Sequence, residues 1–525
     1  MKIKKKKGMK VNRRCSSIIA LHFLVLFVSL WWIPVFSAEP ADGYVRAPAM
    51  AGKFYPGDAK KLEAAVKGFL QDALTPRGER PIAIVVPHAG YIYSGQIAAD
   101  AYKQAMGYPY DVVVILGTNH TVAPFEGVSV FQGRGYATPL GVAEIDRPVA
   151  QALAAADPAF AYRPEAHKEE HSEEVQVPFV QVAFPQAKIV TAIVGTSDLG
   201  VTERFGKALA RVLKDKKALI VASSDLSHYP PYGEAVEADR ATLKAIASLD
   251  PAVLATSIAE QERKGRRGLV TCACGEAPIL AAMYAARALG ARRGVVVSHA
   301  NSGDTAVGDY NRVVGYGAVL FTAGDGGPDT KVLEPAAPAS KPVALSDADR
   351  KFLLALARKT LERYFLTDTL PLPRSDSPAL RQDHGAFVTL KEHGDLRGCI
   401  GHMAEDTPLV LTVAKMALEA ALNDPRFASV RPEELPSIEM EISVLTPFAR
   451  VDGPGAIQVG RDGALIKKGD RQAVFLPQVA PEEGWSREEM LEHLCAKAGM
   501  PTDCWKSGCT FYTFQADVFG EQKKK

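Results

Sequence analysis

Short apolar runs that each end in a cluster of polar residues constrain this chain most strongly. Helix-like patterns such as 60–73 lie between the runs, which cover residues 82–86, 112–116, 189–194 and 218–222. Buried strands that alternate with helices are typical of an α/β domain. The polar clusters read PHAG, GTNH, GTSD and SSD. Because open α/β sheets bind ligands beyond the carboxyl ends of their strands, the sequence predicts a functional site there.

A stretch rich in Pro, Ala and Gly divides the chain at residues 323–344. Its lack of apolar periodicity is typical of a linker. The 525 residues are also too many for one ordinary hydrophobic core. We therefore predict a first domain over residues 44–322 and a second domain over residues 345–522.

The second domain is expected to begin with a helix. Ser346 is a suitable N-cap, and apolar residues with helical spacing continue to Tyr364. Segments 386–390 and 439–445 have the pattern of strands. This half of the chain is therefore predicted to be α+β with largely antiparallel pairing.

Residues 1–38 resemble an export signal rather than part of a folded domain. A positive run from Lys2 to Arg14 precedes a mostly apolar stretch over 18–35, and small residues follow it. This pattern predicts a cleaved signal peptide or, if it is not cleaved, an N-terminal membrane anchor. Either form would place the body of the protein in the periplasm or another compartment outside the cytoplasm.

The charge balance argues against a nucleic-acid partner. The net charge is +2, and part of the excess lies in the lysine-rich first residues and in the last three lysines. The body between them offers no strongly basic field, so no nucleic-acid binding is expected.

Seven cysteines in so long a chain do not form a disulfide scaffold. In an oxidising compartment Cys495, Cys504 and Cys509 could supply one bridge, although their spacing does not select the pair. Buried free thiols are the alternative interpretation.

Side chains that can bind a metal are concentrated at the predicted strand ends. They are His88, His120, Asp225, His228 and Cys274, with His167, His171, Glu173 and Glu174 in the run HKEEHSEE. Each is weak evidence taken singly, because a lone histidine at a strand end is more often a hydrogen-bonded structural residue. Together they are the donors that a metal site requires.

Seven segments resemble the MEMO family, in the same order, over residues 48–322: PHAGYIYSG, LGTNH, HSEE, VGTSDLG, SSDLSHY, CGEAPI and NSGD. The MEMO fold is similar to that of the class III extradiol dioxygenases, which use non-haem ferrous iron. The resemblance implies that His88, His120 and Cys274 bind the metal. It also implies that Asp225 and His228 line the same pocket as catalytic residues, with His171 and Glu174 beside them.

The chemistry of this ligand set fits the resemblance. Two imidazoles and a thiolate suit Fe(II), copper or zinc better than magnesium or calcium, which prefer oxygen ligands. Fe(II) is expected first, copper second and zinc third. We predict a redox enzyme of the dioxygenase-like kind that acts on a small molecule or peptide. The alternative is a non-catalytic scaffold that binds a peptide or protein in the same pocket.

The second domain resembles the AMMECR family over residues 347–520 through the segments LRGCIG, NDPRF and EMEISVL. Within it, Arg397 and Cys399 form a candidate site, since a neighbouring cation favours the reactive thiolate. The alternative is that Cys399 packs at a tight junction between Gly398 and Gly401. Because both families occur together with a radical-SAM protein, the resemblance also implies such a partner and an AmmeMemoRadiSam type of system.

Overall fold

The computed structural model describes residues 43–334 and 344–521. The predicted signal or anchor over residues 1–38 lies outside the described residues, as do residues 335–343 of the predicted linker. Within the described ranges, no helix is both long and apolar enough to cross a membrane.

The first domain is built on a mixed sheet. Its strands are β1 (Val45–Arg46), β2 (Pro81–Val86), β3 (Val112–Thr118), β4 (Val128–Val130), β5 (Gly135–Thr138), β6 (Gly141–Glu144), β7 (Lys188–Val194), β8 (Ala218–Ser223), β9 (Arg293–Asn301) and β10 (Gly315–Thr322). Among the described residues, seven of them form the main sheet in the order β4-β7-β3-β8-β2-β10-β9. The central strands β7, β3, β8 and β2 are parallel, and β4, β10 and β9 are antiparallel to their neighbours.

Helices cover this sheet. They are α1 (Ala59–Asp72), α2 (Tyr91–Ala105), α3 (Arg147–Ala154), α4 (Pro164–Lys168), α5 (Val177–Ala183), α6 (Leu199–Leu213), α7 (Tyr232–Ala247), α8 (Pro251–Arg263) and α9 (Glu276–Ala288). Consecutive residues of β2, β3 and β8 are buried, so both faces of the sheet are covered, as parallel strands require. The predicted α/β class is confirmed, and the predicted strands match these elements within two residues.

The carboxyl ends of β2, β3 and β8 meet at one edge of the sheet because these strands are parallel neighbours. Each strand is followed directly by residues that carry polar side chains. The loop before α9 joins them there, since its Gly275 lies against Ser223 and Ser224 so closely that a Cβ would be 2.5 Å from the Ser223 carbonyl oxygen. Four separate loops therefore converge at one point.

The second domain combines two antiparallel sheets with helices. Its helices are α10 (Asp347–Thr367), α11 (Leu409–Leu422), α12 (Val479–Glu482) and α13 (Arg487–Lys497). Its strands are β11 (Ala386–Glu392), β12 (Asp395–His402), β13 (Ile438–Leu445), β14 (Ala449–Val451), β15 (Gly463–Lys468), β16 (Arg471–Phe475), β17 (Thr510–Phe514) and β18 (Ala516–Gly520). The sheet orders are β12-β11-β13-β18 and β14-β17-β15-β16. The predicted α+β architecture is confirmed.

Helix α10 begins where the sequence predicts. The Ser346 side chain accepts the backbone N–H of Asp349, and the Asp349 carboxylate accepts the backbone N–H of Ser346, which satisfies two donors at the helix start. Asp368, with a φ of 50°, ends the helix in the left-handed region. Leu353, Leu356 and other apolar residues of α10 pack with α11 in the core of this domain.

Ion pairs join the two domains. The carboxylate of Asp72, at the end of α1, forms ion pairs with the ammonium of Lys359 at 2.6 Å and the guanidinium of Arg363 at 2.7 Å, both from α10. Asp100 of α2 receives Arg374 at 2.7 Å. The first part of the predicted linker also packs on the first domain, where Asp329 pairs with Arg77.

The cysteines near the C-terminus form one bridge. Cys495 is bonded to Cys504, and Cys509 is free, with its sulfur 3.9 Å from that of Cys504. The structure therefore selects the pair that the spacing left open.

Candidate metal centre

His88 is the centre of the converging loops. It follows β2, is 2% exposed, and its Nε2 lies 3.1 Å from the sulfur of Cys274. The other ring nitrogen, Nδ1, lies 3.2 Å from the hydroxyl oxygen of Ser223. That hydroxyl donates its only hydrogen to the Ser172 carbonyl at 2.6 Å, so it must accept from His88 Nδ1–H. Nε2 therefore presents its lone pair towards Cys274, which is the tautomer that binds a metal.

Glu170 orients the other two histidines of the cluster. Its carboxylate accepts from Nδ1 of His120 at 2.8 Å and from the His120 backbone N–H at 2.7 Å, and it lies 3.3 Å from Nδ1 of His171. Burial opposes ionisation of this carboxyl, but the hydrogen bond and the charge of His120 outweigh burial and lower its pKa to about 2. An ionised Glu170 can only accept, so it holds a proton on Nδ1 of His120 and makes Nε2 the nitrogen that could bind a metal once it is deprotonated.

Within the described ranges, two sets of three ligand atoms lie within 4.8 Å of one another, and they share His88. The first set is His88, His120 and His171, and the second is His88, Asp225 and Cys274. Of the three metal ligands predicted from the sequence, His88 belongs to both sets, His120 to the first and Cys274 to the second. Asp225 and His171, which were predicted to be catalytic neighbours, lie at the same short distances as the predicted ligands.

The protonation states suit metal binding. Burial, and then the neighbouring imidazoles, hold the pKa of His88 well below its usual range, and burial lowers that of His171 to about 4. Both rings are therefore neutral at neutral pH, the form that coordinates a metal. His120 differs, because Glu170 raises its pKa despite the opposing effect of burial.

Burial opposes ionisation of the two acidic donors of the cluster, Asp225 and Cys274, and this is the observation that tests whether a metal fits. Burial raises the pKa of the Asp225 carboxyl to about 7 and that of the Cys274 thiol well above its usual range. A divalent cation between them would favour both deprotonated forms. The two sets together offer a thiol, a carboxyl and three imidazoles, a mixed N, O and S set that fits iron, copper or zinc.

His228 lines a cavity that also contains His171 and Asp225, but it belongs to neither set of ligand atoms. Its Nε2 is buried and has no hydrogen-bond partner among the described residues. The cavity has a volume of about 410 Å³, and its lining includes His171, Asp225, His228, Phe54, Tyr93 and Tyr229. A wider groove of about 920 Å³ beside α6 has no histidine or cysteine in its lining, so the chemistry rather than the volume identifies the site.

Glu174, predicted to be a catalytic residue beside the pocket, is not in the cavity lining and is engaged by other residues. Its carboxylate is fully buried and pairs with Arg46 at 2.5 Å. It also accepts the backbone N–H of Met50 at 2.8 Å and the hydroxyl of Tyr55 at 2.6 Å. These contacts fix the first residues of the first domain against Glu174, which indicates a structural role for this carboxylate.

His167 and Glu173 of the same run are also occupied elsewhere. The two ring nitrogens of His167 lie 2.9 Å from the hydroxyls of Ser129 and Tyr136. Glu173 accepts from Tyr136 at 2.9 Å. Of the run HKEEHSEE, only Glu170 and His171 reach the centre, and the sequence contained no signal that distinguished Glu170 from the other glutamates.

In the second domain, the side chains of Arg397 and Cys399 have different partners. The guanidinium of Arg397 binds the Glu434 carboxylate at 2.8 Å. Cys399 instead receives the hydroxyl of Thr389 at 3.2 Å, and its carbonyl accepts from Arg426 at 3.1 Å. The Arg397 side chain is thus held by Glu434, and a reactive site formed by Arg397 and Cys399 stays a prediction.

Comparison with known proteins locates two families in the chain. The family model described as Memo-like protein matches residues 46–320, and the AMMECR1 model matches residues 354–519. A MEMO1 family protein of Aquifex aeolicus is 40% identical over 280 residues, which cover 53% of this chain and 99% of that protein. Protein TK0174 of Thermococcus kodakarensis is 44% identical over 190 residues, covering 34% of this chain and 93% of that protein.

Among solved structures, the uncharacterized protein PH0010 from Pyrococcus horikoshii is 41% identical. The match covers 33% of this chain and 90% of that chain, with a TM-score of 0.32.

Proposed function

The chain belongs to the Memo-like protein family through its first domain, and we propose that this domain is a metal-dependent redox enzyme with dioxygenase-like chemistry. The single observation that carries the proposal is the geometry of His88. Ser223 fixes its tautomer, and its Nε2 lone pair faces the Cys274 sulfur at 3.1 Å inside a cluster of possible metal ligands. A metal ion bound there would take the place of the thiol proton that Nε2 accepts.

Fe(II) is the proposed metal, with copper and then zinc as alternatives. Imidazole nitrogens suit all three ions, and a thiolate favours the softer ones. When bound with open positions, iron or copper would supply Lewis acidity and electron transfer towards oxygen or a substrate oxygen atom, and zinc would supply Lewis acidity alone. His88, His120, His171, Asp225 and Cys274 are the residues that would hold it.

The chain's own groups move protons and shape the cavity. His228 lines the cavity, and its buried Nε2, which has no partner among the described residues, is the group proposed to move a proton. Asp225, with a pKa of about 7, exchanges a proton near neutral pH when no cation holds it. Phe54, Tyr93 and Tyr229 offer aromatic walls that orient a ring and exclude water.

Metal loading followed by an oxygen assay tests the proposal. We expect the full chain, loaded with Fe(II) under anaerobic conditions, to retain close to one ion per chain and to consume oxygen when a catechol is added. A chelator should remove both properties. Retention of no iron, copper or zinc would reject the metal site. A fully iron-loaded chain that is inactive with catechols would reject the enzyme and favour the alternative, a scaffold that binds a peptide or protein in the same pocket.

We also propose that the protein is exported and acts with a radical-SAM partner. The N-terminal charge and hydropathy pattern supports export, and so does the Cys495–Cys504 bridge, since disulfides persist in oxidising compartments. The partner is proposed from the resemblance to the two families. We expect protein recovered from the periplasm to begin near residue 39 and to keep that bridge. Peptide mapping after thiol alkylation checks both, and an intact N-terminus with all cysteines reduced would contradict export.

A further inference from the structure

One side of the metal pocket is a loop of the first domain that the second domain holds in place. Residues 302–313, between β9 and β10, form a segment that we call the pocket loop. The pocket loop lines the cavity with Ser302, Val307, Gly308, Asp309 and Arg312. It is tightly folded, since a Cβ on Gly308 would lie 1.9 Å from the Ser302 carbonyl oxygen. A displacement at Gly308 must therefore displace the pocket wall.

Lys415 of α11 makes a polar contact from the second domain to the pocket loop. Its ammonium donates to the Gly308 carbonyl at 3.0 Å and lies 5.0 Å from the centroid of the Tyr310 ring. Ala306, between these contacts and the start of the loop, is 7% exposed and belongs to the buried apolar cluster of the second domain. The pocket loop is thus fixed by a charged hydrogen bond, a cation–π contact and apolar burial.

The pocket loop in turn holds the segment that carries His228. The backbone N–H of Tyr229 donates to the Val313 carbonyl at 2.7 Å, and that of Tyr232 donates to the Tyr310 carbonyl at 2.9 Å. The Arg312 guanidinium lies 4.0 Å from the centroid of the Tyr229 ring.

Tyr229 needs this support. Its φ of 72° lies in the left-handed region, which a tyrosine adopts only when its surroundings enforce it. Its ring lies 5.3 Å from that of His228, so the backbone that fixes Tyr229 also fixes His228.

We propose that Lys415 is a positioning residue for the metal pocket. By holding Gly308 and Tyr310, it keeps the segment of His228 and Tyr229 in the conformation that forms the rim of the cavity. The second domain thereby completes the site of the first domain within one chain. This inference rests on the proposed function for its biological meaning, whereas the mechanical coupling does not depend on which metal is bound.

Amide hydrogen exchange on the full chain tests the coupling, with Lys415→Met as the variant. The substitution keeps the length of the side chain but removes the hydrogen bond to Gly308. We expect the amides of Tyr229 and Tyr232 to exchange about fivefold faster, the factor that corresponds to losing one ordinary hydrogen bond. Exchange in β3 and β8, and the amount of metal bound after loading, should not change.

Lys359→Met is the matched control. Lys359 also reaches across the domain interface, to Asp72 at 2.6 Å, but it does not contact the pocket loop. We expect this variant to leave exchange at Tyr229 and Tyr232 as in the wild type.

Three outcomes would overturn the inference. Exchange at the two tyrosines could be unchanged in Lys415→Met, or it could rise equally in Lys359→Met, which would indicate general loosening of the interface. Finally, the α11 amides of Lys415→Met could exchange rapidly while exchange at the two tyrosines stays unchanged. Loss of the second domain's structure should release the rim of the cavity still further, so this result would also contradict the inference. Metal content is measured separately, so a chain that binds no metal but shows the exchange effect would reject the proposed function and keep the positioning role.

Discussion

Glu174→Ala is expected to destabilise the first domain by about 3–5 kcal/mol, the usual effect of leaving a buried charge without its partner. Arg46 is 1% exposed, and its guanidinium lies 2.5 Å from the Glu174 carboxylate. The same change removes the acceptor of the Tyr55 hydroxyl and of the Met50 backbone N–H. Urea unfolding at neutral pH measures the free energy directly.

Two controls separate charge burial from other causes. Glu169→Ala removes an exposed glutamate from the same run and should change the free energy of unfolding by less than about 0.5 kcal/mol. Adding Arg46→Met to Glu174→Ala should recover part of the loss, because the uncompensated charge is removed as well. A Glu174→Ala protein that is as stable as the wild type but inactive would restore the sequence-based prediction of a catalytic glutamate.

Loss of the Arg46–Glu174 ion pair should also weaken metal binding. Arg46 donates to the carbonyls of His167 and Glu170, at 2.5 Å and 2.6 Å, and so holds the turn that presents Glu170 and His171. We therefore expect metal affinity to fall together with stability in Glu174→Ala.

His88→Ala is expected to weaken metal binding more than about 100-fold. Removing a residue that only orients a ligand typically costs 10–100-fold in affinity, and loss of a ligand itself should exceed that. His88 is the residue common to both sets of ligand atoms, so its removal breaks each of them. Competition with a chromophoric chelator under anaerobic conditions measures the change.

His402→Ala provides the matched control for His88→Ala. His402 lies in the second domain, where its Nε2 contacts Asp406 at 2.6 Å. The same substitution there should leave metal affinity within about twofold of the wild type. Equal losses in both variants, or none in His88→Ala, would exclude His88 as a ligand.

The predictions that succeeded from sequence were local. The strands β2, β3, β7 and β8 are continuous apolar runs bounded by Gly, Pro and polar residues, and such runs are buried strands wherever they occur in an α/β domain. Ser346 marks the start of α10 because its side chain bonds to the backbone three residues away. Neither inference needed any knowledge of distant residues.

The run HKEEHSEE shows where such reasoning ends. Glu170 and Glu174 are chemically identical and four positions apart, yet one orients two histidines and the other neutralises Arg46. The difference arises because helix α4 ends at Lys168 and the chain then turns, so each carboxylate faces a different distant partner. Those partners, His120 and Arg46, are 50 and 128 positions away along the chain.

The sequence by itself determined which side chains are available for a metal and that they follow strand ends, since these are properties of composition and of local periodicity. Only the tertiary structure decided which donors lie close together and that Glu174 pairs with Arg46. It also decided that Lys415 of the second domain contacts the pocket loop of the first domain. The physical reason is that hydrogen bonds and ion pairs act over about 3–4 Å. Neighbours at that range are set by packing between segments that lie far apart in the chain.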